Sequence, residues 1–168
     1  MTLFGPTPIS VEYGLASFAS GEPSLDLWLR ERALANERHG AARTLVIVEQ
    51  DRVRGYFALA AGSVAATESQ GRFRDNMPDP IPVVILGRFA LDRSLQSRGW
   101  GAALFYDAAT RVLAVAETVG VRGMLVHAIS ASARDFYLRM GMQVSPFSPM
   151  TLLATCDDLR AATESQHP

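Results

Sequence analysis

The sequence contains no lysine, so all 16 of its basic residues are arginine. Cysteine is nearly absent too: the single residue, Cys156, excludes an internal disulfide framework and a cysteine metal cluster. No apolar stretch continues for the roughly 18 residues a membrane span needs. The first ten residues, MTLFGPTPIS, lack a basic segment followed by an apolar one, so no secretory signal is expected. His39, His127 and His167 are too scattered to suggest a metal site, and no metal is expected. A net charge of -1 gives no strong bulk attraction to nucleic acid. A soluble cytoplasmic protein is the expectation that remains. The missing lysine has two readings, a coding bias or the suitability of guanidinium for bidentate phosphate contacts. Local charge says more than the sum: Arg88, Arg93 and Arg98 face only Asp92 within one short segment.

What is present is ordinary globular material. The 168 residues are 48% apolar and 20% charged, enough for one domain, residues 1–168, with a flexible tail from about 163. Residues 9–13 suggest a short strand. Ser24 fits a helix N-cap, Leu25, Trp28 and Leu29 share a helical face, and Gly40 marks the stop. Residues 44–49 and 53–64 pair as a hairpin around a turn at 50–52. Pro78, Pro80 and Pro82 make residues 67–82 an irregular loop, and long ordered loops are often functional. Residues 83–91 form a buried strand broken by Gly87, where a bulge is expected. A helix over 99–119 has its apolar face at Leu104, Ala108, Val112, Val115 and Val119. A strand over 121–129, a short helix over 131–140 and a last strand over 150–156 complete an α/β (α+β) fold around a mixed sheet.

One segment draws a site. Gln96-Ser97-Arg98-Gly99-Trp100-Gly101-Ala102 joins a strand to the long helix. The first turn of a helix has free N–H groups and a positive dipole end, and glycine lets phosphate oxygens reach that backbone. On spacing alone two readings stand: a phosphate cradle, or a glycine-rich helix start that permits close packing. Neither a Walker loop nor a dinucleotide fingerprint fits.

Gln96-x-x-Gly99-x-Gly101 resembles the pyrophosphate loop of the GNAT superfamily, the acetyl-CoA-dependent N-acetyltransferases. Phe136-Tyr137-Leu138-Arg139-Met140-Gly141-Met142 resembles that superfamily's Phe-Tyr-x-x-x-Gly-Phe segment, with Met142 in place of the last aromatic. Ser130 stands where the family often has an asparagine. A closer similarity, to the TacT-type toxins of toxin–antitoxin pairs, runs along most of the chain. It is carried by Leu25-Asp26-x-Trp28-Leu29, the segment from Gly55 to Val64, Leu86-Gly87-Arg88-Phe89-Ala90-Leu91-Asp92 and Val126-His127-Ala128.

The resemblance implies a GNAT fold with a splayed strand pair into which the pantetheine arm of acetyl-CoA fits. It implies Tyr137 as the general acid for the leaving thiolate. Acetyl-CoA would be held by Phe89, Leu91, Gln96, Arg98, Gly99, Trp100, Gly101, Ala102 and Ser132. It implies acetylation of the amino acid on aminoacyl-tRNA, a ribbon-helix-helix antitoxin partner and a homodimer. Arg72, Arg74 and Arg88 are candidates for tRNA phosphate contacts, or ordinary surface arginines. An α-amino group titrates near 7.7–8.0, so much of it is already neutral, and the sequence names no general base. His127 reads as a strand-face histidine, with a proton relay as the alternative. Two other functions stay open: a GNAT enzyme acting on a small amine or a protein N-terminus, and a non-catalytic CoA- or protein-binding module.

Overall fold

The computed structural model describes residues 2–165. Among the described residues, seven strands form one mixed sheet in the order β1-β2-β3-β4-β5-β7-β6, accompanied by five α-helices. The chain divides into two compact units. One comprises residues up to 60 with 87–104, the other 61–86 with 105 onward, so β3 and β4 each contribute to both.

In the first unit, β1 (Leu3–Pro8) pairs antiparallel with β2 (Arg43–Glu49), which pairs antiparallel with β3 (Arg52–Val64). Gln50 and Asp51 between the last two both have positive φ, as a tight hairpin turn matched to strand twist demands. The strand expected over 9–13 lies earlier: Gly5, Pro6 and Pro8 hide it in the sequence, and residues 11–13 form a turn. The helix expected over 24–40 is two helices, α1 (Pro23–Glu31) and α2 (Ala33–His39), broken at Arg32. Its N-cap is Glu22, not Ser24, because Pro23 supplies the first helical position. Gly40 does end α2, in the left-handed conformation. Leu25, Leu29 and Ala33 bury their apolar faces with Val46, Val48, Val53 and Tyr56.

The second unit holds the loop after β3, tightened by two 3-10 turns at Ala66–Glu68 and Gly71–Phe73. β4 (Ile81–Leu91) runs parallel to β5 (Gly123–His127), which pairs antiparallel with β7 (Ser148–Thr155). A short edge strand, β6 (Gln143–Ser145), was not expected, since three residues give no periodicity to read. The long helix, α3 (Trp100–Ala116), is shorter than the 99–119 expected, and Val115 and Val119 are exposed. α4 (Ala131–Arg139) matches expectation. The last strand begins two residues early and stops at Thr155, so Cys156 opens α5 (Cys156–Glu164) instead of ending a strand. A reciprocal capping box between Thr155 and Asp158 starts that helix. Residues 163 and 164 are therefore helical, while 166–168, with His167, lie outside the described residues.

The 66–80 loop is tied down by charge. Arg122 donates to the carbonyls of Phe73 and Arg72, and Arg72 pairs with Asp158 at 2.8 Å.

Gly123 is required by packing: a Cβ there would lie 1.9 Å from the Ala154 carbonyl oxygen on β7. Gly123→Ala should cost about 1–3 kcal/mol by forcing the two strands apart. Thermal unfolding should then fall by several degrees, at roughly 2–4 °C per kcal/mol. An unchanged midpoint would contradict this packing.

Candidate active site

β4 ends at Leu91, and the turn that follows is fixed from both sides. Asp92 is buried; its carboxylate accepts from Ala19 N at 2.9 Å, Ser94 N at 3.1 Å and Ser94 Oγ at 2.7 Å. Arg54 lies 3.8 Å away. Burial alone would push this carboxyl up, but the hydrogen bonds and the Arg54 charge together hold it below its ordinary value of 3.8. Asp92 thereby caps a 3-10 turn, Arg93–Leu95, and Leu95 is fully buried. Gln96 then donates through Nε2 to Ser20 O at 2.7 Å and Leu91 O at 2.9 Å. Its amide is spent on bracing the turn against the chain on either side.

Beyond this brace the backbone opens. Ser97 and Gly99 both have positive φ, and α3 begins at Trp100. A Cβ on Gly99 would meet nothing within 4 Å, so the approach to its backbone is clear. The first N–H groups of α3, at Trp100, Gly101 and Ala102, have no partner one turn back, and they carry the positive end of the helix dipole. Arg98 is exposed and donates to Ser94 O at 3.0 Å, which holds a cation beside that opening. Left-handed residues leading into the first amides of a helix are a backbone arrangement in which N–H groups can converge on an anion.

Phe89 and Leu91, half-buried and two residues apart, share one face of β4. The parallel ladder between β4 and β5 has three pairs, ending at Leu86↔Val126, although β4 continues to Leu91. Gly87 stands just after the last pair. It does not adopt positive φ and has ordinary room for a Cβ.

Arg88 is exposed, with its guanidinium 5.4 Å from the centre of the Trp28 ring. Trp28 stacks on Tyr56 at 5.9 Å and 6°, and the Tyr56 hydroxyl donates to Leu25 O at 2.7 Å. This stack presents Arg88 as a fixed, planar cation. In the other unit, Arg72 is shared with Asp158, and Arg74 is exposed just after a 3-10 turn.

Tyr137 is buried on α4. Its ring lies 5.3 Å from Phe136 and 6.2 Å from Phe105 of α3, in an aromatic cluster. Burial pushes its hydroxyl well above the ordinary tyrosine range, so it stays protonated. Ser130, at the position where the family often has asparagine, caps α4 by accepting from Ala133 N at 3.1 Å. Ser132 is exposed in the first turn of that helix.

One feature escaped the sequence. Val64, Ile85 and Leu125 form the apolar wall of an open cavity of about 230 Å³, with Glu68, His127 and Thr151 on its polar side. The His127 Nδ1 lies 2.9 Å from Thr151 Oγ1, which lies 2.9 Å from Ser148 Oγ. Thr151 is the cross-strand neighbour of His127, a pairing that only the β5–β7 register reveals.

No protein-family model matches the chain. A curated tRNA-acetylating toxin of Mycobacterium tuberculosis (strain ATCC 25618 / H37Rv) is 47% identical over 156 residues, 93% of this chain and 94% of its own. The chain belongs to the tRNA-acetylating toxins. Solved structures of this toxin type share its fold. AtaT complexed with acetyl-methionyl-tRNAfMet superimposes with a TM-score of 0.85 at 27% identity, covering 95% of this chain and 97% of AtaT. A tyrosine-to-phenylalanine mutant of AtaT, bound to the C-terminus of the antitoxin AtaR and acetyl-CoA, gives 0.78 at 27% identity, covering 95% and 96%. The GNAT fold and the acetyltransferase class expected from the sequence agree with these relatives.

Asp92 sets the acid limit of the turn before α3. A carboxyl held below its ordinary value stabilises the fold above pH 3.8, and that contribution is lost as pH falls through the lower folded value. Asp92→Asn should remove this acid limb and lower stability by about 1–3 kcal/mol at neutral pH. Urea unfolding across pH 2–7 measures both.

Proposed function

We propose that this chain transfers the acetyl group of acetyl-CoA to the α-amino group of an amino acid carried on tRNA, which takes that charged tRNA out of translation. The observation that carries the reading is the 47% identity, along nearly the whole chain, to a tRNA-acetylating toxin. The site chemistry agrees with it. The diphosphate of acetyl-CoA fits the anion seat at Arg98, Gly99, Trp100, Gly101 and Ala102, where bare amides and one cation converge. Gln96 serves by holding that seat in place. Backbone groups of Phe89 and Leu91 would hold the pantetheine arm, where β4 continues past the end of its ladder with β5. Ser132 adds a hydroxyl at the start of α4.

Acetyl-CoA supplies the acetyl group as a thioester. Tyr137 serves the departing sulfur. An aliphatic thiol titrates near 8.5 and a phenol near 10, so complete transfer of the phenol proton is uphill by about 2 kcal/mol even without burial. Burial raises the phenol further. Tyr137 therefore acts chiefly by donating a hydrogen bond as negative charge grows on sulfur. Arg72, Arg74 and Arg88 are the residues we assign to tRNA phosphates. Arg72 can exchange its exposed ion pair for a phosphate at little loss, because such pairs contribute little. We extend to this chain an antitoxin partner, of ribbon-helix-helix type, and a homodimeric assembly. Work on charged tRNA would take place in the cytoplasm.

Purified protein with radiolabelled acetyl-CoA and bulk charged tRNA should yield acetylated aminoacyl-tRNA. Activity confined to free amines or protein N-termini would reject the tRNA reading, and acetyl-CoA binding with no transfer would leave a binding module. Tyr137→Phe should lower kcat on the order of 10²-fold while acetyl-CoA affinity changes little. Equal turnover by the two proteins would remove Tyr137 from the chemistry.

A further inference from the structure

We propose that the cavity at the end of β5 seats the amino-acid end of the charged tRNA, and that His127 takes the proton from its ammonium group. The inference rests on the acetyl-transfer reading above and deepens it.

The first argument is position. Leu125 and His127, two residues apart, share one face of β5. Leu125 belongs to the buried cluster with Val64, Ile81 and Val83, whereas His127 is exposed at the open end of that face. Ile85 and Leu125 are the next-to-last pair of the β4–β5 ladder, and His127 is the first residue of β5 after its last pair. The cavity therefore abuts the place where the two strands stop pairing, which is where the thioester arm is assigned. The second argument is size: about 230 Å³ exceeds the roughly 150 Å³ that accommodates benzene, so an aminoacyl group can enter.

The third argument is the histidine's own anchoring. In the tautomer whose Nδ1–H donates to Thr151 Oγ1, with Thr151 donating onward to Ser148, the lone pair is on Nε2, and His127 lines the cavity. Thr151 is buried and locked in the β5–β7 register, so the ring orientation is set by the sheet. Glu68 is the other titratable side chain lining the cavity, and its carboxylate favours a cation there, first the incoming ammonium and then the imidazolium.

The protons balance. One ammonium proton passes to Nε2 and from there to solvent. The freed lone pair forms the N–C bond, and the C–S bond breaks with its electrons on sulfur. A second nitrogen proton ends on that sulfur, and the third stays on the new amide.

The test is the pH dependence of single-turnover acetyl transfer to charged tRNA by the full chain. His127→Gln should lose up to about tenfold near pH 7, where roughly a tenth of an α-amino group is neutral unaided. The loss should shrink as pH rises and the amine becomes neutral unaided, with acetyl-CoA affinity within twofold of the native protein. Ser148→Ala should move the same limb in the same direction by less. An unchanged profile in His127→Gln, or a loss equal at every pH, would overturn the proposal. Should His127→Gln show no cooperative thermal transition, an unmoved limb in Ser148→Ala would overturn it. Native protein inactive on charged tRNA at every pH would instead sink the underlying reading, and is recognised by needing no variant.

Discussion

A single buried carboxylate does the most to fix the turn between β4 and α3. Asp92 collects three hydrogen bonds and a nearby guanidinium, and so fixes the chain direction between a strand and a helix. Turns are ordinarily the mobile parts of a fold, because few buried contacts restrain them. Here the turn must present unpartnered amides without collapsing onto them. Asp92 and Leu95 supply the burial, Gln96 supplies a cross-brace, and the glycine that follows is left bare. Preorganisation of this kind costs folding stability locally and would spare the diphosphate proposed to bind there the entropy of ordering the loop.

Much of this was legible in the sequence, for definable reasons. The hairpin, the parallel pair and α4 were readable because β-branched runs and Ser/Gly boundaries are local signals. The open helix start at residues 99–102 was readable because glycine spacing before a helix has few physical uses, though spacing alone could not separate phosphate binding from close packing. The helix break at Arg32 was not readable, since no proline or glycine marks it. β6 and α5 were hidden because one is only three residues long and the other begins at an ordinary Thr-Cys pair whose capping box needs coordinates to be seen. The bracing role of Gln96 and the hydroxyl chain behind His127 depend on partners 76 and 24 residues away. No periodicity carries that information.

Tyr137 and His127 occupy opposed environments. Tyr137 is buried among aromatic rings, which keep its proton on and make it a donor. His127 is exposed and anchored to hydroxyls. The proposed division of labour, a hydrogen bond held on sulfur by one group and a proton taken from nitrogen by the other, asks neither group to reverse its role within a turnover.

Asp158 splits its two oxygens between separate tasks. Oδ2 accepts from Thr155 N to seal the start of α5, while Oδ1 holds Arg72 of the 66–80 loop. A competing anion that draws Arg72 away therefore empties one oxygen and leaves the helix end intact. The loop keeps its Arg122 bonds to the Phe73 and Arg72 carbonyls when that contact is undone, so its charged side chain can be spared while its backbone stays in place.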